Sequence, residues 1–151
     1  MRIYLPVTLD ELDADDLPDR RGHAVTAALR AALPDEDDEG LEFAAQLMAA
    51  DDSFELLRAA AAAAPRLRVV ASVDVPDAQV EDVSDDDDGA PSLVRIARPV
   101  GRSEIACVHV DEPAVAADVA AALAGDASAV ERVDDADLLW YDASEVAQIP
   151  R

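Results

Sequence analysis

The chain has 151 residues and carries 34 acidic side chains against 12 basic ones, all of them arginine, for a formal charge of −22. A surface this negative repels nucleic-acid phosphates and anionic membranes, which excludes both as partners. One cysteine, Cys107, excludes an internal disulfide, and with only His23 and His109 beside it a conventional Cys/His zinc site is excluded too.

Residues 2–7 alternate, with Ile3, Leu5 and Val7 facing one way and Arg2 and Tyr4 the other, so a half-buried strand is predicted. Thr8 and Glu11 have capping-box spacing for a short helical turn. A second short helix is predicted from Thr26 to Leu33, stopped by Pro34. The acids of 35–39 suit the start of the next helix, because negative charge near a helix N-terminus is worth roughly 0.3–1 kcal/mol per residue. Helical spacing runs through Leu41, Ala45 and Met48, breaks and recaps at Asp51-Asp52-Ser53, and resumes through Phe54, Leu57 and Ala61 to Pro65. Residues 36–64 are therefore one kinked helix or a helix pair.

From 66 to 76 the period becomes two: Leu67, Val69, Ala71, Val73 and Val75 share one face, Arg66, Arg68, Val70, Ser72 and Asp74 the other. The acidic stretch 77–91 reads as a mobile loop. A strand at 93–98 is expected to pair with 66–76 across that loop, and Ile105–Val110 is a further strand. Pro113 opens a helix with Val115, Val119 and Leu123 as its buried stripe and Gly125 at its C-terminal cap. Leu138–Tyr141 forms the last strand.

This order predicts one α+β domain over 1–151: a two-layer, ferredoxin-like (split βαβ) sandwich with an antiparallel sheet and helices on one face. Alanine inflates the apolar fraction of 51 %, and aromatics make up 3 %, so the core consists of aliphatic layers. No stretch approaches the ~18 apolar residues of a membrane span. The start of the chain lacks the apolar segment of a signal peptide, which makes the cytoplasm the expected compartment. The absence of lysine and asparagine fits a GC-rich genome; salt adaptation is the rival explanation of the acidity.

No catalytic, cofactor or metal site is legible. The glycines Gly22, Gly40, Gly89, Gly101 and Gly125 are isolated, so no phosphate-binding motif is present. An EF-hand with Gly89 at its sixth position would place Arg95 at the twelfth, where a bidentate Glu is required. The acids of 81–88 are then a solvated loop, with weak cation condensation as the alternative. Cys107 and His109 share a strand face but stand about 7 Å apart, too far for a direct dyad. A small buried cysteine and a polar-capped histidine is the plainer reading. His23 is a lone loop histidine.

The arginines are more informative. Once the acids of 81–88 are set aside, the strand region 66–112 has equal numbers of arginines and acids, whereas both flanks are strongly negative. Alternation points Arg2, Tyr4, Arg66, Arg68 and Arg95 away from the helix-packed face. With His109 and Trp140, which with Tyr141 forms an aromatic pair open to an interface role or to a core-capping one, this is the candidate interaction or ligand face. The primary expectation is a non-catalytic protein-interaction module, dimeric through its sheet or the Trp140 region. The alternative is a binding protein or enzyme in which Arg68 and Arg95 clamp a small anionic ligand and His109 acts as acid or base. The plainer reading is surface arginines balancing nearby acids, which contributes little energy. Mimicry of nucleic acid by the acidic surface is a third class.

The segments Met1–Leu9, Ala24-Val25-Thr26 to Leu33-Pro34, Val73–Ala78, Val108–Asp111 and Leu138–Asp142 occur together in this order. In them the chain resembles a family of uncharacterised actinobacterial proteins, a domain of unknown function, over nearly its whole length. The resemblance implies a high-GC Gram-positive source, a cytoplasmic protein and one intact domain. It implies no activity, cofactor or catalytic residue.

Overall fold

The alternating N-terminal segment becomes β1 (Arg2–Val7), at the middle of the main sheet. The computed structural model describes residues 1–60, 66–83 and 89–150. After β1 come β2 (Asp16–Leu17), β3 (Arg20–His23), α1 (Ala27–Ala32), α2 (Asp38–Ala59) and β4 (Val69–Asp74). Then follow β5 (Val80–Asp82), β6 (Leu93–Ile96), β7 (Val100–Gly101), β8 (Ile105–Asp111), α3 (Ala116–Leu123), α4 (Ala127–Asp134) and β9 (Leu138–Asp142). Short 3-10 turns fill several connections, among them Glu11–Asp13 and Ala143–Gln148.

The result is an α+β arrangement with a seven-stranded sheet in the order β5-β6-β3-β1-β4-β8-β9, every described neighbour pair antiparallel. A separate two-stranded ribbon joins β2 to β7. The strands β3 and β4, linked through α1 and α2, flank β1 as the strands of a split unit do. However, β8 and β9, linked through α3 and α4, are antiparallel neighbours, so the four-strand ferredoxin-like order is not formed.

Several expectations are corrected. The strand at 93–98 does not pair with 66–76; β6 lies between β3 and β5, and β4 lies between β1 and β8. Aliphatic matching explains the choice, since β1 sets Ile3 opposite Val73, Leu5 opposite Ala71 and Val7 opposite Val69. The polar run Arg20–His23, taken as loop, is a strand because Gly22 admits close packing. A Cβ there would lie 2.7 Å from Leu5 Cδ2 and 2.9 Å from the Tyr4 carbonyl oxygen. Residues 80–82 of the expected mobile loop form β5 against β6, while 84–88, with the run Asp85–Asp88, lie outside the described residues. α4 has no counterpart among the expected elements; its two buried residues, Ala129 and Val133, make too sparse a stripe.

The helix does not break at Asp51-Asp52-Ser53. Ser53 is buried on the inner face of α2, where its hydroxyl donates to the Val7 carbonyl at 2.9 Å and accepts from the Val69 amide at 2.8 Å. One side chain thus ties α2 to the end of the β1–β4 ladder. Elsewhere the local signals hold: Thr26 Oγ1 caps α1 by accepting from the Leu29 amide, and Gly125 ends α3 at φ 97°. Glu11 accepts from the Thr8 amide at 2.9 Å.

Each sheet face carries a packed layer. Ile3, Leu5, Val7, Val69, Ala71, Val73, Val108 and Val110 form an aliphatic layer closed by Leu9, Leu12, Leu17, Val100, Val146 and Ile149. The opposite face, with Tyr4 and Val70, packs on α1 and α2 through Leu29, Leu41, Ala45 and Ala49. The polar-looking alternate face is therefore the helix-packed one. The aliphatic face, where alternation places the helices, is instead closed by turns and the β2–β7 ribbon, which can cover a sheet as well as a helix can. Ser53→Ala, which strips both β-ladder groups of their bridge, is expected to cost about 2 kcal/mol in urea unfolding.

Candidate functional site

A helix with its side chains is about 10–12 Å wide and strands lie about 4.8 Å apart, so one helix shields two or three strands. α2 packs over β3, β1 and β4. Its C-terminal half is flanked by α3 and α4, where Leu57 meets Val119, Ala122, Ala129 and Val133. Its N-terminal half has α1 beside it, through Leu29, but among the described residues no helix lies beside it toward β8 and β9. There the helix-side residues of β4, β8 and β9 border an open cleft of about 550 Å³.

Register builds the floor of this cleft. Tyr4 stands opposite Ser72, Ser72 opposite Cys107, and His109 opposite Trp140. Arg2, the α2 N-cap Asp37 and the α2 residues Glu39, Gly40, Glu42, Phe43 and Gln46 complete the walls. The Tyr4 hydroxyl donates to Glu42 Oε2 at 3.3 Å, and burial together with Glu42 pushes the phenol well above its ordinary range. Arg2 is engaged by Asp74 through two hydrogen bonds of 3.1 and 2.8 Å. Trp140 is 58 % exposed.

Two polar atoms in this cleft are buried without any protein partner, Ser72 Oγ and His109 Nδ1. Ser72 is fully buried as a residue. Burial, and secondarily the nearby Arg2, lower the His109 pKa below 6.5, so the ring is held neutral at neutral pH. Unpartnered buried polar groups are rare in folded proteins and call for a reason.

Of the six residues singled out in the sequence, Tyr4, His109 and Trp140 meet in the cleft and the three arginines do not. Arg68 is 4 % exposed rather than on an open face. Its guanidinium binds Asp111 at 2.8 Å and the Ala136 carbonyl at 3.1 Å, and its amide donates to Asp111 at 2.7 Å. Breaking such a buried pair by removing one partner costs about 3–5 kcal/mol. Arg95 lies on β6 between Arg21 and Glu81, with Asp19 3.7 Å away. Arg66 caps the end of α2 by donating to the Leu57 carbonyl at 2.9 Å. Alternation alone gives the face of each residue; it could not say which strand each would join.

The fold also assembles a set that spacing concealed. His23 Nδ1 lies 2.7 Å from Ser92 Oγ and His23 Nε2 lies 3.1 Å from Asp52 Oδ2. Ser92 is fully buried, with Met48 Sδ 2.8 Å from its hydroxyl, so no substrate reaches it as a nucleophile. The trio pins β3 and the segment before β6 to α2. A second cleft of about 440 Å³ holds Asp51, Asp134, Arg58 and Arg68. Burial, and then the neighbouring Asp134, push the Asp51 carboxyl up. Its arginines are already committed, Arg68 to Asp111 and Arg58 to Glu55. Among the described residues no helix is long and apolar enough to cross a membrane, and no group of three His, Cys, Asp or Glu could hold a metal ion.

A family profile matches residues 1–149. The chain belongs to DUF6912, a family of unknown function. No curated protein and no solved structure matches it. The cleft of this DUF6912 chain gives stability a specific pH dependence. Because the folded pKa of His109 is below its ordinary 6.5, the unfolded chain binds the proton more readily, and stability falls as pH drops below that value. His109→Gln is expected to be less acid-sensitive than the wild type between about pH 5 and 7, as measured by thermal unfolding at each pH.

Proposed function

We propose that this DUF6912 chain is a recognition module that binds a small polar molecule in the cleft between the N-terminal half of α2 and strands β4, β8 and β9. The single observation behind this reading is the pair of buried, unpartnered polar atoms, Ser72 Oγ and His109 Nδ1, in one cleft. A core that needed only stability would carry alanine at 72, since an unsatisfied buried hydroxyl costs about 1–3 kcal/mol. A ligand that hydrogen-bonds both atoms removes that cost on binding. The solvent-facing indole of Trp140 beside His109 supplies an aromatic wall, as ligand pockets commonly do. The arginine clamp for an anionic ligand finds no support, because Arg68 is consumed by Asp111 and Arg95 lies on another part of the sheet. The proposal is binding, without a catalytic step.

Ser72→Ala separates a functional serine from a structural one. It is expected to raise the unfolding midpoint, by about 1 kcal/mol of added stability, and to weaken any ligand found by a thermal-shift screen of small polar molecules. A destabilised variant that retained all screen hits would overturn the reading.

Exposed apolar residues favour a second reading, a protein-interaction surface. Phe43, Leu47 and Trp140 are 54 %, 43 % and 58 % exposed, and the first two are one turn apart on α2. On this reading, light scattering in about 0.5 M salt, where the charge is screened, shows association that Trp140→Ala abolishes. A strict monomer at high protein concentration would remove it.

A further inference from the structure

Resting on the cleft reading above, the charges around the cleft narrow its ligand to one chemical class. The α2 wall presents Asp37, Glu39 and Glu42. Among the described residues neither Glu39 nor Glu42 has an arginine partner, and Glu42 accepts from the uncharged Tyr4 hydroxyl. The one arginine among the described residues that line the cleft, Arg2, is paired with Asp74 through Nε and Nη2. The positive end of the α2 dipole, where an anion would otherwise dock, is already occupied: the Asp37 side chain accepts from the Gly40 amide at 2.9 Å, and Asp38 and Glu39 stand in the first turn. An anion entering here would meet carboxylates, and the arginine beside them has its charge already balanced by Asp74.

A cation would meet the reverse. An ammonium or guanidinium has donors for the carboxylates and is attracted to the face of an indole, the best of the aromatic side chains for this contact. Trp140 offers that ring at the cleft, and the uncharged His109 adds no opposing charge. The two unpartnered polar atoms of the cleft, Ser72 Oγ and His109 Nδ1, hydrogen-bond the polar groups of the rest of the molecule. We infer that the ligand of this cleft is a small organic cation, an ammonium or guanidinium compound, held between the carboxylates of Glu39 and Glu42 and the ring of Trp140. The net charge of −22 draws such molecules toward the protein from a distance.

Trp140 is the one tryptophan of the chain, so its fluorescence reports on this cleft directly. The full chain is titrated with butylammonium, butylguanidinium, butyramide and butyrate, probes of matched size and different charge. The two cations are expected to change Trp140 emission saturably, at least about tenfold tighter than butyramide, with no response to butyrate. Added salt, and the double variant Glu39→Gln/Glu42→Gln, should each weaken cation binding several-fold. Equal or tighter binding of butyramide or butyrate overturns the cation class. If that binding is also weakened by Ser72→Ala, the recognition site itself stands. If none of the four perturbs Trp140, the inference falls, and the screen with Ser72→Ala decides the underlying reading separately.

Discussion

The width of one α-helix against the spacing of β-strands governs how this protein is organised. A seven-stranded sheet is far wider than the two or three strands that α2 can shield. The chain answers differently on its two faces. On the aliphatic face, 3-10 turns and the β2–β7 ribbon supply Leu9, Leu12, Leu17, Val100, Val146 and Ile149 as a patchwork lid. On the helix face, α3 and α4 continue the layer beside the C-terminal half of α2. Beside its N-terminal half, toward β8 and β9, the layer stops, and the cleft is what remains.

Polar groups that this packing buries are nearly all given partners. Ser53 bridges β1 and β4, Asp111 fixes Arg68, and Ser92 with Asp52 fixes His23. Exposed arginines are spent in the same manner, as Arg98 on Glu104 and Arg132 on Asp118. Against that background Ser72 and His109 stand out, because both lack a partner and both border the same opening. Among the described residues, Arg20 Nε is the other buried polar side-chain atom left without a partner, and it lies outside this cleft.

Elements with strong local signals were legible. The alternation of 2–7, the Thr26 cap, the glycine stop at Gly125 and the strands at 105–110 and 138–141 all appear where period and capping place them. Elements formed by contact with distant partners were not. Arg20–His23 is too polar to look like a strand, and becomes one because Gly22 can lie against Leu5 and Tyr4. Ser53 looks like a helix cap until the strand ends it joins are beside it. Of the residues of the candidate face, Tyr4, His109 and Trp140 line one cleft because the sheet sets their strands side by side. Arg68 obeys the same alternation, yet Asp111 lies 43 positions away in sequence and removes it from the surface.

By itself, then, the sequence determined the class of object: one strongly anionic α+β chain with an aliphatic core, period-two strands and capped helices, because these follow from composition and from contacts within a few residues. Strand order, the helix-covered face and the meeting of Tyr4, Ser72, His109 and Trp140 were decided only by the tertiary structure. Those depend on which aliphatic surfaces pair across long separations and on how far one helix can reach across a wide sheet, and neither quantity is written in local periodicity.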